Sequence, residues 1–227
     1  MIRTYGLAKA IVLPWLKFWF RCHFEGLENI PKDGPAIVAF NHIAFLDPFA
    51  AAYAVDKAGR RPRFLGKSEL FQDKRVGWIL RGAGQIEVKR GTREAPMALD
   101  HAVAALSRGE VVVVFPEGTI TTDRDLNPMA PKTGMARMAL EAGVPVIPAA
   151  VWGTANIWPK GYKKHMWPPR QDVLVRVGTP MTVRGDHRNR DDWTRVGAEV
   201  MEEIGILLAS LRPAVPDRRR PQRGAAA

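Results

Sequence analysis

His42 and Asp47 are the two residues of this chain best suited by type and spacing to move a proton. A carboxylate bonded to one imidazole nitrogen fixes the tautomer of the ring and leaves the other nitrogen as a base. The five-residue spacing constrains the backbone. On one continuous helix, residues five apart point about 140° away from each other, so contact needs a turn between them. No serine or cysteine stands close by in sequence. Such a base would act on a hydroxyl brought by a substrate. The pair also fits a plain helix start, with Asp47 as cap and His42 as a loop residue.

The flanking residues provide the turn. Ala36 to Phe40 is a short apolar run between Gly34-Pro35 and Asn41, and reads as a buried strand. Asp47-Pro48 reads as a helix start, because proline suits the first helical position and aspartate accepts from unpaired amides there. His42 then lies where a strand leaves a sheet, the end at which open α/β sheets bind ligands. Val111 to Phe115 holds four valines in five residues, as expected of a parallel strand buried on both faces. Further strands are predicted at 63–65, 84–90, 144–151 and 172–183, with an edge strand and turn over 22–34. Pro145 and Pro148 mark 144–151 as irregular or near an edge. Helices are predicted at 48–58, 95–107, 131–142 and 188–211. One or two short helices are predicted in 67–80, whose Phe71, Val76, Trp78, Ile79 and Leu80 are expected to be exposed and to border an acyl pocket. Residues 152–170 read as a loop rich in Trp, Pro and Lys. The strand–helix alternation predicts a single α/β domain with a mostly parallel central sheet flanked by helices.

Three features fall on one rim of such a sheet. His42 and Asp47 follow one strand, Arg90 ends another, and Glu117-Gly118 follow a third. A base, a guanidinium and a carboxylate beside an apolar pocket suit a substrate with a hydroxyl, a phosphate and a fatty chain. Arg90 can hold phosphate through two parallel hydrogen bonds. Glu117 can accept from a hydroxyl, and Gly118 lets backbone approach a ligand.

Four blocks, in order over about residues 36–154, resemble the 1-acyl-glycerol-3-phosphate acyltransferase family of lysophospholipid acyltransferases. They are Asn41-His42 through Asp47, Gly84-x-Ile86-x-Val88-x-Arg90, Phe115-Pro116-Glu117-Gly118-Thr119, and Val144-Pro145-Val146-Ile147-Pro148. The resemblance implies that His42 is the general base and that Asp47 orients it. It implies that Arg90, Glu117 and Gly118 bind the acceptor, with Asn41 and Thr119 beside them. It also implies a membrane-bound acceptor and an acyl-CoA or acyl-carrier-protein co-substrate, with no further cofactor. One position departs from the pattern: the family carries Arg after the third block, and this chain has Ile120. Lys132 or Arg124 is expected to supply the missing cation. Lysophosphatidic acid is the first-choice acceptor, and another lipid or glycolipid hydroxyl the alternative.

Charge distribution bears on partners. Formal net charge is +11. Residues 1–22 carry +4 and 212–227 carry +4, so the 189 residues between them carry only +3. Basic ends on a near-neutral body fit an anionic membrane surface better than nucleic acid, which calls for a basic face on the folded body. Gly6 to Phe20 holds Trp15, Phe18, Trp19 and Phe20 with Lys9 and Lys17, and reads as an element lying in the membrane interface. No apolar run approaches the ~20 residues of a bilayer span, and no signal-peptide layout is present. The expected organisation is an interfacial segment at 1–24, an acyltransferase domain at 25–211 and a basic disordered tail at 212–227. The expected location is the cytoplasmic face of the cell membrane, peripheral or monotopic. A metal-dependent hydrolase using His42, Asp47 and Glu117 is the rival reading, and it lacks further histidine ligands.

Overall fold

Runs of Val, Ile and Ala with no charge build the centre of the molecule. The computed structural model describes residues 2–74, 77–88, 95–161 and 163–218. The chain forms α1 (Ile2–Trp19), β1 (Phe20–Glu25), β2 (Ala36–Phe40), α2 (Asp47–Lys57), β3 (Pro62–Lys67), α3 (Ser68–Gln72), α4 (Gly77–Gly82) and β4 (Ile86–Val88). It continues through α5 (Ala95–Ser107), β5 (Val111–Val114), α6 (Gly134–Ala142), β6 (Val146–Trp152), β7 (Gln171–Val177) and α7 (Arg190–Leu211). The strands make one sheet in the order β1-β7-β6-β2-β5-β3-β4. Every neighbouring pair is parallel except β6 with β7. The fold is thus a single α/β domain with a mostly parallel sheet.

Alternation along each strand divides the core. Val38, Phe40, Val113, Ile147 and Ala149 pack with α2 and with Leu16 of α1 on one face. Ile37, Ala39, Val112, Val114 and Val146 pack with α5, α6 and α7 on the other. A third cluster closes the carboxyl end of the sheet, where Ile43 and Ala44 meet Trp152, Leu208 and Leu211.

Several expectations are corrected. The strand with Pro148 is central and buried along its whole length, not near an edge. Val146 and Pro148 direct their backbone groups toward the β7 side, where Val146 bonds to Met181 and the Pro148 carbonyl accepts from Gly178. The β6–β7 ladder starts only at Ala149, so the missing proline N–H falls beyond it. Phe71 is buried, not exposed, and its ring packs against Gly66. Trp78 is exposed as expected, and Val76 lies outside the described residues. Phe20–Phe24, within the expected interfacial segment, pair with β7 as an edge strand.

Residues 212–218 also depart from a disordered tail. Trp152 Nε1 donates to the Val215 carbonyl at 2.6 Å, and Asn156 Nδ2 donates to the Pro216 carbonyl at 3.0 Å. Composition suggested disorder because Arg and Pro bury little; here partners come from two side chains of the body. The remainder of the tail lies outside the described residues.

Ile147 fills the centre of β6 with no solvent exposure. Ile147→Ala is expected to lower the unfolding free energy by about 3 kcal/mol, within the usual range for a buried isoleucine. Urea denaturation checks it; a loss under about 1 kcal/mol would mean the site collapses to fill the gap.

Candidate active site

The loop between β2 and α2 is shaped around one carboxylate. Asp47 Oδ2 accepts from His42 Nδ1 at 2.9 Å, from the Ile43 N–H at 2.6 Å and from the Ala44 N–H at 2.7 Å. Oδ1 accepts from the Thr154 hydroxyl at 2.6 Å. Asp47 is fully buried, and His42 retains 15% of its side-chain exposure. Pro48 starts the helix as expected, but the carboxylate turns back into the loop instead of capping helix amides. An ionised carboxylate only accepts, so Nδ1 carries the proton and the lone pair lies on Nε2.

The His42 backbone is clamped as firmly as its ring. Its N–H donates to Glu117 Oε1 at 2.8 Å, and its carbonyl accepts from the Thr121 N–H at 2.7 Å. Its ring stacks on Phe115, with centroids 4.3 Å apart and planes 27° from parallel. Glu117 Oε2 accepts from the Met129 N–H at 2.9 Å. Burial raises the Glu117 carboxyl above its ordinary value, while the Met129 and His42 amides pull it back down. With 1% exposure and an amide on each oxygen, Glu117 joins the 42–44 loop to the 117–129 loop.

Asn41, expected among the substrate-binding residues, is fully buried as well. Its amide donates to the Val151 carbonyl at 3.1 Å and accepts from the Val151 N–H at 2.8 Å. The side chain extends the β2–β6 ladder by one rung. Gly118 has φ of +70°, and a Cβ there would lie 3.3 Å from Lys132 Cγ. Lys132 is exposed beside that turn, its own N–H donating to the Pro116 carbonyl at 2.8 Å. Thr119 is half-buried. Arg90 lies outside the described residues.

Sequence reasoning missed Thr154, which lies 107 residues from its partner Asp47. The available signal was Gly153 after an apolar strand. It has φ of +91°, and a Cβ would meet the Asp172 carbonyl oxygen at 2.4 Å, so only glycine lets β6 turn under the His42 loop. Lys160 was also missed; its Nζ lies 3.5 Å from the Ile120 carbonyl. Cys22 sits in the edge strand, and burial pushes its thiol up to about 11, which keeps it protonated near neutrality. Among the described residues no group of three or more His, Cys, Asp or Glu side chains is arranged to hold a metal. A cavity of about 380 Å³ between α4, β4 and α5 is lined by Phe71, Arg81, Ile86 and His101, and none of its lining residues belongs to the His42 rim.

The site is thus a histidine oriented by a buried carboxylate at the carboxyl end of an α/β sheet, and among the described residues no protein group bonds to its Nε2. The chain belongs to the acyltransferase family, whose profile matches residues 21–152. It is 32% identical over 165 residues to a chloroplastic 1-acyl-sn-glycerol-3-phosphate acyltransferase of Brassica napus, covering 72% of this chain and 46% of that protein. A 1-acyl-sn-glycerol-3-phosphate acyltransferase of Borreliella burgdorferi is 32% identical over 142 residues, covering 60% of this chain and 52% of its own length. The chain thus spans about half the length of these curated relatives. The crystal structure of the 1-acyl-sn-glycerophosphate (LPA) acyltransferase PlsC from Thermotoga maritima superposes with a TM-score of 0.71 at 27% identity, covering 95% of this chain and 80% of that one.

Glu117→Gln turns one acceptor into an NH₂ group facing a backbone N–H. It is expected to cost about 1–3 kcal/mol of stability, the penalty of leaving a buried donor unpaired. Thermal melting of both proteins checks this; an unchanged midpoint would show that the two amides find other acceptors.

Proposed function

We propose that the protein is an O-acyltransferase of phospholipid biosynthesis. It moves a fatty acyl group from acyl-CoA or acyl carrier protein to the free hydroxyl of lysophosphatidic acid, giving phosphatidic acid. The observation that carries this reading is the His42 Nδ1–Asp47 bond, which leaves Nε2 without a protein partner and without a bonded nucleophile among the described residues. Nε2 takes the proton of the acceptor hydroxyl as its oxygen bonds to the thioester carbonyl carbon. The carbon–sulfur bond breaks, and the imidazolium returns the proton to the departing thiolate. No acyl-enzyme is needed. Asp47 holds the ring and stabilises the imidazolium that forms.

Lys132 beside Gly118 and Lys160 beside the Ile120 carbonyl are the cations proposed to meet the acceptor phosphate, in place of the arginine that Ile120 replaces. Ile120 itself, buried and uncharged, favours a second reading in which the acceptor is a lysolipid or glycolipid without a terminal phosphate.

The acceptor is proposed to arrive from an anionic bilayer, on the cytoplasmic face of the cell membrane. No helix among the described residues is long and apolar enough to cross a membrane. α1 is pinned to the body on one side, through Tyr5 to Asp56 at 2.9 Å and Lys9 to Asp56 at 2.8 Å, with Leu16 in the core. Leu7, Trp15 and Phe18 are exposed. That arrangement supports a helix lying in the interface, with aromatic rings at headgroup depth.

Transfer from labelled acyl-CoA to a panel of lysolipids tests the reaction. His42→Ala is expected to reduce it about 10²–10⁴-fold with unchanged circular dichroism, the usual contribution of a positioned base. Retained turnover would refute the assignment. Lys132→Gln is expected to raise KM for lysophosphatidic acid about tenfold, the value of one charge-assisted hydrogen bond, and to leave a neutral lysolipid unaffected. Equal changes for both acceptors would remove Lys132 from the phosphate site.

A further inference from the structure

Apart from Lys160, and from Trp158 and Met166, which pack against the core, the segment Trp158–Arg170 has no part in the reaction proposed above. It carries Lys160, Lys163, Lys164 and Arg170 and no acidic residue. Both of its ends are fixed to functional elements. At the first end, the Phe45 N–H donates to the Trp158 carbonyl at 3.2 Å, and Ala44 bridges to Pro159. The Phe45 and Trp158 rings lie 5.6 Å apart. At the other end, the Arg170 N–H donates to the Trp19 carbonyl at 2.6 Å, and Arg21 Nε donates to the Arg170 carbonyl at 3.1 Å. The segment therefore spans from the loop that carries His42 to the end of α1.

Its outer surface is aromatic and cationic. Trp167 is 78% exposed, and Lys163 and Lys164 are exposed beside it in sequence. Lys164 Nζ sits 3.6 Å from the Trp158 ring centroid. Two more exposed rings lie on the loop and helix it is bonded to: Phe45, which is 46% exposed and pairs with Trp158, and Phe49, whose ring lies 6.2 Å from Trp15 of α1. Single exposed aromatics are ordinary, but several exposed rings with lysines that have no ion pair among the described residues are the pattern of a membrane interface, with rings at headgroup depth and ammonium groups at phosphates.

We propose that Trp158–Arg170 is a second membrane-docking arm, which seats on an anionic bilayer and holds the His42 loop at the headgroup plane. This rests on the membrane-borne acceptor proposed above, and adds an element distinct from α1. An acidic protein partner is less well matched, because salt bridges do not require a tryptophan as exposed as Trp167.

The test is cosedimentation of the full chain with vesicles of phosphatidylcholine alone and of phosphatidylcholine with an equal amount of phosphatidylglycerol. Each basic residue close to an anionic surface is worth about a fivefold gain in binding. Lys163→Gln/Lys164→Gln is therefore expected to weaken binding to the anionic vesicles about 25-fold and to leave the neutral ones unchanged. Trp167→Ala is expected to weaken both about tenfold, through lost apolar burial. Arg188→Gln/Arg190→Gln removes the same charge where α7 begins, about 30 Å of helix away from the end that packs by Ile43 and Ala44, and is expected to change binding less than about twofold. Melting midpoints and transfer to a monomeric short-chain lysolipid should be unchanged in all three.

Arm variants that bind vesicles like the wild type overturn the proposal, as does an equal loss in the far-end control. Normal vesicle binding with weakened transfer from acyl carrier protein overturns it in favour of a protein partner. If the wild-type chain itself binds neither vesicle, the membrane-borne acceptor falls and the arm with it.

Discussion

The site depends on the burial of one carboxylate. Removing an ion from water costs several kcal/mol unless its lone pairs are met. Asp47 meets that cost with four donors within 2.9 Å. Two are backbone amides of the loop before it, and they force residues 43–47 into a tight turn. The third is the imidazole, and the fourth comes from a strand end far along the chain. Position, tautomer and loop shape are therefore one solution to one electrostatic problem. This explains how a five-residue spacing, unfavourable on a helix, gives a 2.9 Å contact. The acid sits in the first helical turn but serves the loop.

The other buried polar groups extend the same logic. Asn41, Asp47, Glu117, Thr121 and Thr154 are five of the six buried polar or charged residues among the described ones. All five lie at the carboxyl end of the sheet around His42. Elsewhere the core is apolar, apart from Arg63, which is bonded to Glu110. Buried polar networks hold a unique geometry only when every member is satisfied. Here Glu117 fixes the His42 amide, Thr121 its carbonyl and Asn41 the strand end before it. His42 is held by its backbone as much as by its ring.

Much of this was legible in the sequence, and the limits have physical causes. The four-valine run and the Ala36–Phe40 run announced buried parallel strands, because only a doubly covered strand tolerates unbroken apolar character. His42 and Asp47 were legible because their partnership is local. Thr154 was not, because its contact is made by strand order, which spacing does not encode. Glu117 and Asn41 were read as substrate contacts, and the bonds the structure gives them run to backbone groups of the protein itself. A polar residue in a motif reads equally well as a ligand contact or a strut, and only burial separates the two. Pro148 misled for a related reason: its effect depends on which neighbour its missing N–H would have faced.

The same turn that buries Asp47 decides what faces outward. Ile43, Ala44 and Leu46 are directed into the core around the carboxylate, and Phe45 between them is turned to solvent. A turn drawn inward by its amides has one side left for solvent, and there the sequence has placed a large aromatic ring. Phe45 leads by ring contact to Trp158, and Phe49 one turn later leads to Trp15. Two partly exposed aromatic pairs are thus tied to the His42 loop and its helix through the backbone. A rigid buried charge on one side and an exposed aromatic ring on the other are set by the same five residues, so the position of the His42 ring and the outward face of its loop cannot vary independently.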